Sequence, residues 1–140
     1  MKHSAKTEYA AIAMLALARR WGSGEPVRIR EIVANHSVPA RFLVQILLQL
    51  KAAGLVTSTR GAAGGYQLAL PPAEVSLEDI VRIFEPDGSA STGMKRSRGA
   101  ATLRDAWAEA AEAEATALRS LTFAELLDRA RLPSGTMYYI

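Results

Sequence analysis

Arg41, Val44 and Gln45 stand close together in a stretch that reads RFLVQILLQL, and Arg60 stands immediately before the glycine-rich run Gly61-Ala-Ala-Gly-Gly65. The chemistry these side chains offer is recognition rather than bond-making. An arginine can fork onto guanine O6 and N7, a glutamine onto adenine N6 and N7, and a valine can meet a thymine methyl. Arg41 and Gln45 are one helical turn apart, so both can reach one partner from one face. Thr57, Ser58, Thr59, Arg60 and Gly61 add hydroxyls, a guanidinium and backbone N–H groups of the kind that hold phosphates. Arg60, beside glycines that let the backbone approach closely, suits a minor groove narrowed by A·T pairs. A plainer reading makes Gln45 and Gln49 ordinary solvated residues, and it fits Gln49, further along the helix, better than Gln45.

Such residues need a helix and a turn to aim them. Phe42, Leu43, Ile46, Leu47 and Leu50 make an apolar stripe that is expected to face inward, which leaves Arg41, Val44, Gln45, Leu48 and Gln49 outward. Gly54 is placed to close this helix in the left-handed conformation. Leu55–Arg60 and Tyr66–Leu70 alternate as two strands of a ribbon whose tip is the glycine run. Upstream, Ile29, Ile32 and Val33 predict a short helix over 30–35, with Val27–Ile29 a short strand leading into it. Ser37-Val38-Pro39 is the turn, and the two helices make a helix-turn-helix. Residues 7–20 are apolar nearly all round, which predicts a central helix buried on more than one side and open to sharing with a second subunit.

Downstream, Pro71-Pro72 ends the ribbon, and Ser76 with Asp79 forms a capping-box pattern for a helix striped by Leu77, Ile80, Val81 and Phe84. Residues 86–100 are loop-like in composition. Residues 102–121 predict a long helix with Leu103, Ala106, Trp107, Ala110, Ala113, Ala117 and Leu121 on one face. Alanine there permits close helix approach, and the near-3.5 spacing points to a partner helix in a homodimer, packing on the first helix of the same chain being the alternative. Thr122 caps a short last helix. The tail over 133–140 ends in Met137, Tyr138, Tyr139 and Ile140, expected to dock on the protein's own dimer, with a partner-binding tag as the alternative. The expected organisation is residues 1–85 as a winged helix-turn-helix domain, 86–100 as a flexible loop, and 101–140 as dimerisation helix, short helix and tail. The fold class is mainly α with a small two- or three-stranded wing.

Composition narrows the function. The chain has 140 residues, 49% apolar and 22% charged, with a net charge of +3. Residues 1–70 carry nine Lys/Arg against three Asp/Glu, a balance of +6, whereas residues 71–140 are at −3. A basic half suits a polyanion, although a solvated face would look the same. No cysteine is present, which excludes disulfides and thiolate-held zinc or iron–sulfur clusters, and two histidines are too few for a His-rich metal site. No catalytic set emerges, so no enzyme is expected. GAAGG is followed by Tyr66-Gln-Leu rather than by Lys-Ser/Thr or a helix, which argues against a nucleotide loop. No run approaches the roughly 20 apolar residues of a membrane span and no signal peptide is visible, so a cytoplasmic protein is expected.

The blocks SAKTEYA, RFLVQILLQLKAAGLV, STRGAAGGYQLA and SLEDIVRIFE, in this order, resemble one bacterial family. It is the winged-helix repressor family of the iron–sulfur cluster regulator IscR, the nitric-oxide-responsive NsrR and the cysteine-metabolism repressor CymR. The resemblance runs from about Met1 to Glu85 and resumes with the helix around Trp107. It implies a homodimer crossed through its long helices and binding partly palindromic double-stranded DNA. By position it implies DNA contact by Arg41, Val44 and Gln45 in the recognition helix, by Thr59, Arg60 and Gly61 in the wing, and by Lys6 and Thr7 on the phosphate backbone. Leu103, Trp107, Ala110, Ala117 and Leu121 would lie in the dimer.

Two departures follow. Where some members have a glutamate before the glutamine, this chain has Val44, so the preferred operator should differ. The loop that carries three cysteines in cluster-binding members has none here. Arg104 stands near where one cluster type uses a histidine, and Glu8 alone cannot hold a cluster. The expected protein is a repressor without metal or other cofactor, its signal arriving through a partner protein, a small effector or its own abundance. A winged helix used as a protein-interaction module is the alternative function.

Overall fold

A computed structural model describes residues 3–85 and 97–131. In chain order these form α1 (Ala5–Arg19), α2 (Ile29–His36), α3 (Ala40–Ala52), β1 (Val56–Thr59), β2 (Gly65–Leu68), a 3-10 turn (Pro72–Glu74), α4 (Leu77–Phe84), α5 (Arg98–Arg119) and α6 (Phe123–Arg131). This is the mainly helical winged helix-turn-helix expected. The tail over 133–140 and most of the expected loop, 86–96, lie outside the described residues.

The central helix is α1. Ala10, Ala13, Met14, Leu17 and Ala18 are buried, and Tyr9, Ala11, Ile12, Leu15 and Ala16 are packed against the core in part. Small residues let α2, α3, α4, α6 and β2 all approach it. On α3 the buried positions are Leu43, Ile46, Leu47 and Leu50, the i, i+3, i+4, i+7 set of one helical face. Phe42 corrects the expected inward stripe. It lies one residue, about 100°, off that face and is 39% exposed, with its ring tilted against Tyr9 at 6.0 Å between centroids.

Local chemistry fixes the boundaries. The Glu31 carboxylate accepts from the Arg28 N–H at 2.8 Å, which starts α2 one residue earlier than expected, and Ser37 in the left-handed region ends it. Gly54, at φ 83°, closes the α3 end as expected. The wing is an antiparallel pair in which Val56 faces Leu68 and Thr59 faces Gly65. Val27 adds a single bridge to Tyr66, with both backbone hydrogen bonds at 2.8 Å, so the expected strand there is one residue long. At α4 the expected capping box is present, the Ser76 N–H donating to Asp79 at 2.9 Å.

The C-terminal helices differ most from expectation. Ser97 caps α5 by accepting from the Ala100 N–H at 3.0 Å, so the helix starts inside the expected loop. It ends at Arg119, because the next residues join the body: the Leu77 N–H donates to Leu121 C=O at 3.0 Å and the Phe123 N–H to Val75 C=O at 2.9 Å. Leu121 is thus beyond the helix and half-buried in this joint, not on the expected apolar stripe. The expected division at residue 101 is also crossed. Phe123 and Leu127 of α6 belong to the same core as α1, α3 and α4. Thr122 does cap α6, accepting from the Glu125 N–H at 3.2 Å. α5 packs mainly against α4, not along α1, and of its residues only Ala100 is buried.

Candidate nucleic-acid interface

The inward stripe of α3 is anchored on α1, α2 and β1, so the opposite face is held out rigidly. That face carries Arg41, Val44, Gln45 and Leu48, all exposed and spaced i, i+3, i+4, i+7. The Arg41 guanidinium lies over the Phe42 ring, 5.1 Å from its centroid. Stacking of this kind restrains an arginine while leaving its edge N–H groups free to fork onto an acceptor. Phe42 therefore has a part that the stripe reading concealed: it links Arg41 to Tyr9 of α1. Gln49 is not the solvated residue expected. It is half-buried, and its Oε1 is enclosed without a hydrogen-bond partner among the described residues.

Beside α3 stands the wing. Thr57, Ser58 and Thr59 are exposed. Lys51, at the last turn of α3, donates to Ser58 Oγ at 2.6 Å, which ties the helix to the ribbon and leaves a cation at their junction. The tip is a tight turn, with the Gly64 N–H donating to Gly61 C=O at 2.9 Å and Gly61 at φ 101°. A Cβ on Gly64 would sit 2.1 Å from the Thr59 carbonyl oxygen. The glycine is thus required by backbone approach within the turn. Arg60 and Gly61 are exposed at this tip. Arg28 and Arg30 at the start of α2, with Ala63 and Gly64, line an open concavity next to it.

A brace holds α1 to α2 behind this surface. Arg20 pairs with Glu31 at 2.7 Å, and Glu31 also accepts from the Arg28 N–H. That backbone hydrogen bond first, and the Arg20 guanidinium second, hold the Glu31 carboxyl below its ordinary value.

The start of α1 is less open than expected. Thr7 is 4% exposed, its hydroxyl paired with Ser4 Oγ at 3.0 Å and its N–H donating to the same oxygen at 3.2 Å. The cap turns that side chain inward, which corrects its expected place on a phosphate. Lys6 is half-buried, with its ammonium 5.7 Å from the centre of the Phe84 ring. Sequence reasoning missed Lys51, Arg28 and Arg30. The charge balance of the first half contained all three, but only the fold gathers them around the wing.

Away from this surface, Leu103 and Trp107 of α5 are 51% and 70% exposed. Ala110 and Ala117 are exposed along the same helix.

Residues 3–129 match the model of the Rrf2 family, described as an iron-dependent transcriptional regulator. Protein rrf2 of Nitratidesulfovibrio vulgaris is 33% identical over 137 residues, covering 94% of this chain and 91% of that protein. The structure of CymR, described as the global cysteine regulator of B. subtilis, matches with a TM-score of 0.80 at 29% identity over 92% of this chain and 98% of that one. IscR of T. potens matches with a TM-score of 0.78 at 32% identity, over 99% and 97%. The first curated relatives are matched over only 52% to 61% of their own length.

The iron in the family's description does not fit the donors of this chain. No cysteine exists to supply a thiolate, and among the described residues no three His, Cys, Asp or Glu side chains gather into a group that could hold a metal ion. His3 pairs instead with Glu85 at 2.7 Å. On the match over residues 3–129 the chain nevertheless belongs to the Rrf2 family of transcriptional regulators.

Proposed function

We propose that the chain is a sequence-specific DNA-binding transcriptional regulator, acting in the cytoplasm as a homodimeric repressor on a partly palindromic operator, with neither enzymatic activity nor an iron–sulfur cluster. The observation that carries this reading is the exposed α3 face of Arg41, Val44, Gln45 and Leu48 beside a wing tipped by Arg60. In a helix-turn-helix such a face enters the major groove while flanking cations meet phosphates. The bare flank of α5 around Leu103, Trp107, Ala110 and Ala117 supports a second copy, and two copies related by a twofold axis read two half-sites.

The reading is tested by selecting bound duplexes from a random pool. A dimeric regulator returns one partly palindromic sequence; a pool that stays random contradicts it. Protein purified without air is expected to be colourless, and visible absorption with stoichiometric iron contradicts the absence of a cluster. A second reading, an interaction module acting on a partner protein, is favoured by one observation, the apolar surface left by Val44 and Leu48 on the same face. Under that reading the selection recovers nothing.

A further inference from the structure

The reading face of α3 is unusually apolar for a helix that faces water. Val44 is 43% and Leu48 56% exposed. Exposed apolar side chains are normal singly. These two are four residues apart and form a ridge, about 6 Å long at about 1.5 Å of rise per residue. Cations frame it: Arg41 stands one turn before, and Lys51 ends the helix at the wing. An apolar ridge between cations matches a polyanion whose surface also offers apolar groups. The major groove of DNA is such a surface, and there thymine alone among the four bases presents a methyl, at C5. Base pairs stack about 3.4 Å apart, so the ridge spans about two base-pair steps.

We propose that Val44 and Leu48 form an apolar reading pair that selects thymine methyls about two steps apart in each half-site, with Leu48 a specificity-determining residue. The inference rests on the DNA-binding reading above and gives it a base preference. Neither side chain can accept from the cytosine amine, whereas each can close on a methyl and exclude water from it. Gln45, on the same face, supplies the hydrogen bonds that a methyl contact lacks.

The test uses the operator recovered by selection, with each thymine replaced in turn by deoxyuridine, which lacks only the C5 methyl. Fluorescence anisotropy measures affinity for the wild-type protein, Val44→Ala and Leu48→Ala. Removing one methyl is expected to weaken the wild-type complex about fourfold at two positions per half-site, from about 0.8 kcal/mol per buried methyl-sized group. Leu48→Ala should be indifferent to uracil at one of these positions and Val44→Ala at the other. The salt dependence should stay as in the wild type, since no phosphate contact changes. Both side chains are exposed, so matching melting curves are expected and confirm that the variants fold. A specific complex indifferent to every methyl overturns the inference alone, as do variants that keep the wild-type sensitivity. No specific complex with any duplex overturns the DNA-binding reading with it.

Discussion

Truncation of Trp107 to alanine should dissociate the proposed dimer. Trp107 is 70% exposed on a helix of which only Ala100 is buried. A tryptophan presents roughly 150–250 Å² for burial, so about 140 Å² of this one is bare. At about 25 cal/mol per Å², covering it is worth about 3.5 kcal/mol per copy and twice that across a twofold interface. Alanine retains a little of that area, and a flank rich in alanine packs closely, so a loss of about 3–7 kcal/mol is expected. The smaller figure raises the dimer dissociation constant more than a hundredfold, at 1.4 kcal/mol per factor of ten. Sedimentation equilibrium over a concentration series measures it directly. The protomer should remain folded by circular dichroism, because the side chain is not part of its core. A dissociation constant within a few-fold of the wild type, or a wild type that is monomeric throughout the series, would refute the reasoning.

Three further outcomes are expected. Arg41→Ala and Arg60→Ala should each weaken operator binding by about 1–3 kcal/mol if they contact bases, read by gel shift, with no change in melting temperature. Gly64→Ala drives a Cβ to 2.1 Å from the Thr59 carbonyl oxygen, so the tip must open. A strain of about 1–3 kcal/mol is expected in the melt, with a loss of affinity as Arg60 is displaced. Glu31 should make stability fall in acid. Its carboxyl is held below the ordinary value of 4.5, so its contribution is full above that value and is lost as pH falls through the lowered one. Urea midpoints measured downward from neutral pH should fall less steeply below about pH 4.5 for Glu31→Gln than for the wild type.

The parts of the fold legible in sequence are those set by neighbours in the chain. The stripe of Leu43, Ile46, Leu47 and Leu50, the Ser76–Asp79 box and the Gly54 stop are each contained within one or two turns of helix. Two of the misread residues take their places from distant contacts. Phe42 leans outward onto Tyr9, a residue of α1. Leu121 leaves the long helix because Leu77, on α4, donates to its carbonyl. Thr7 is turned inward by its own helix cap, which a match by position to a phosphate contact cannot reveal. Ser97 was hidden differently: serine, arginine and glycine in a row read as loop, yet the serine starts a helix of 22 residues. At the interface, composition carried the charges of Arg28, Arg30 and Lys51 but only the bridge between Val27 and Tyr66 and the Lys51–Ser58 hydrogen bond bring them to the wing.

The central claim, that the α3 face and the wing together read duplex DNA, is tested most directly by titrating the full chain with its own upstream DNA and with a scrambled duplex at several salt concentrations. The account predicts a marked preference for the upstream sequence and an affinity that falls steeply as salt rises, because bound phosphates release counterions. Equal affinity for both duplexes, with little dependence on salt, would contradict it.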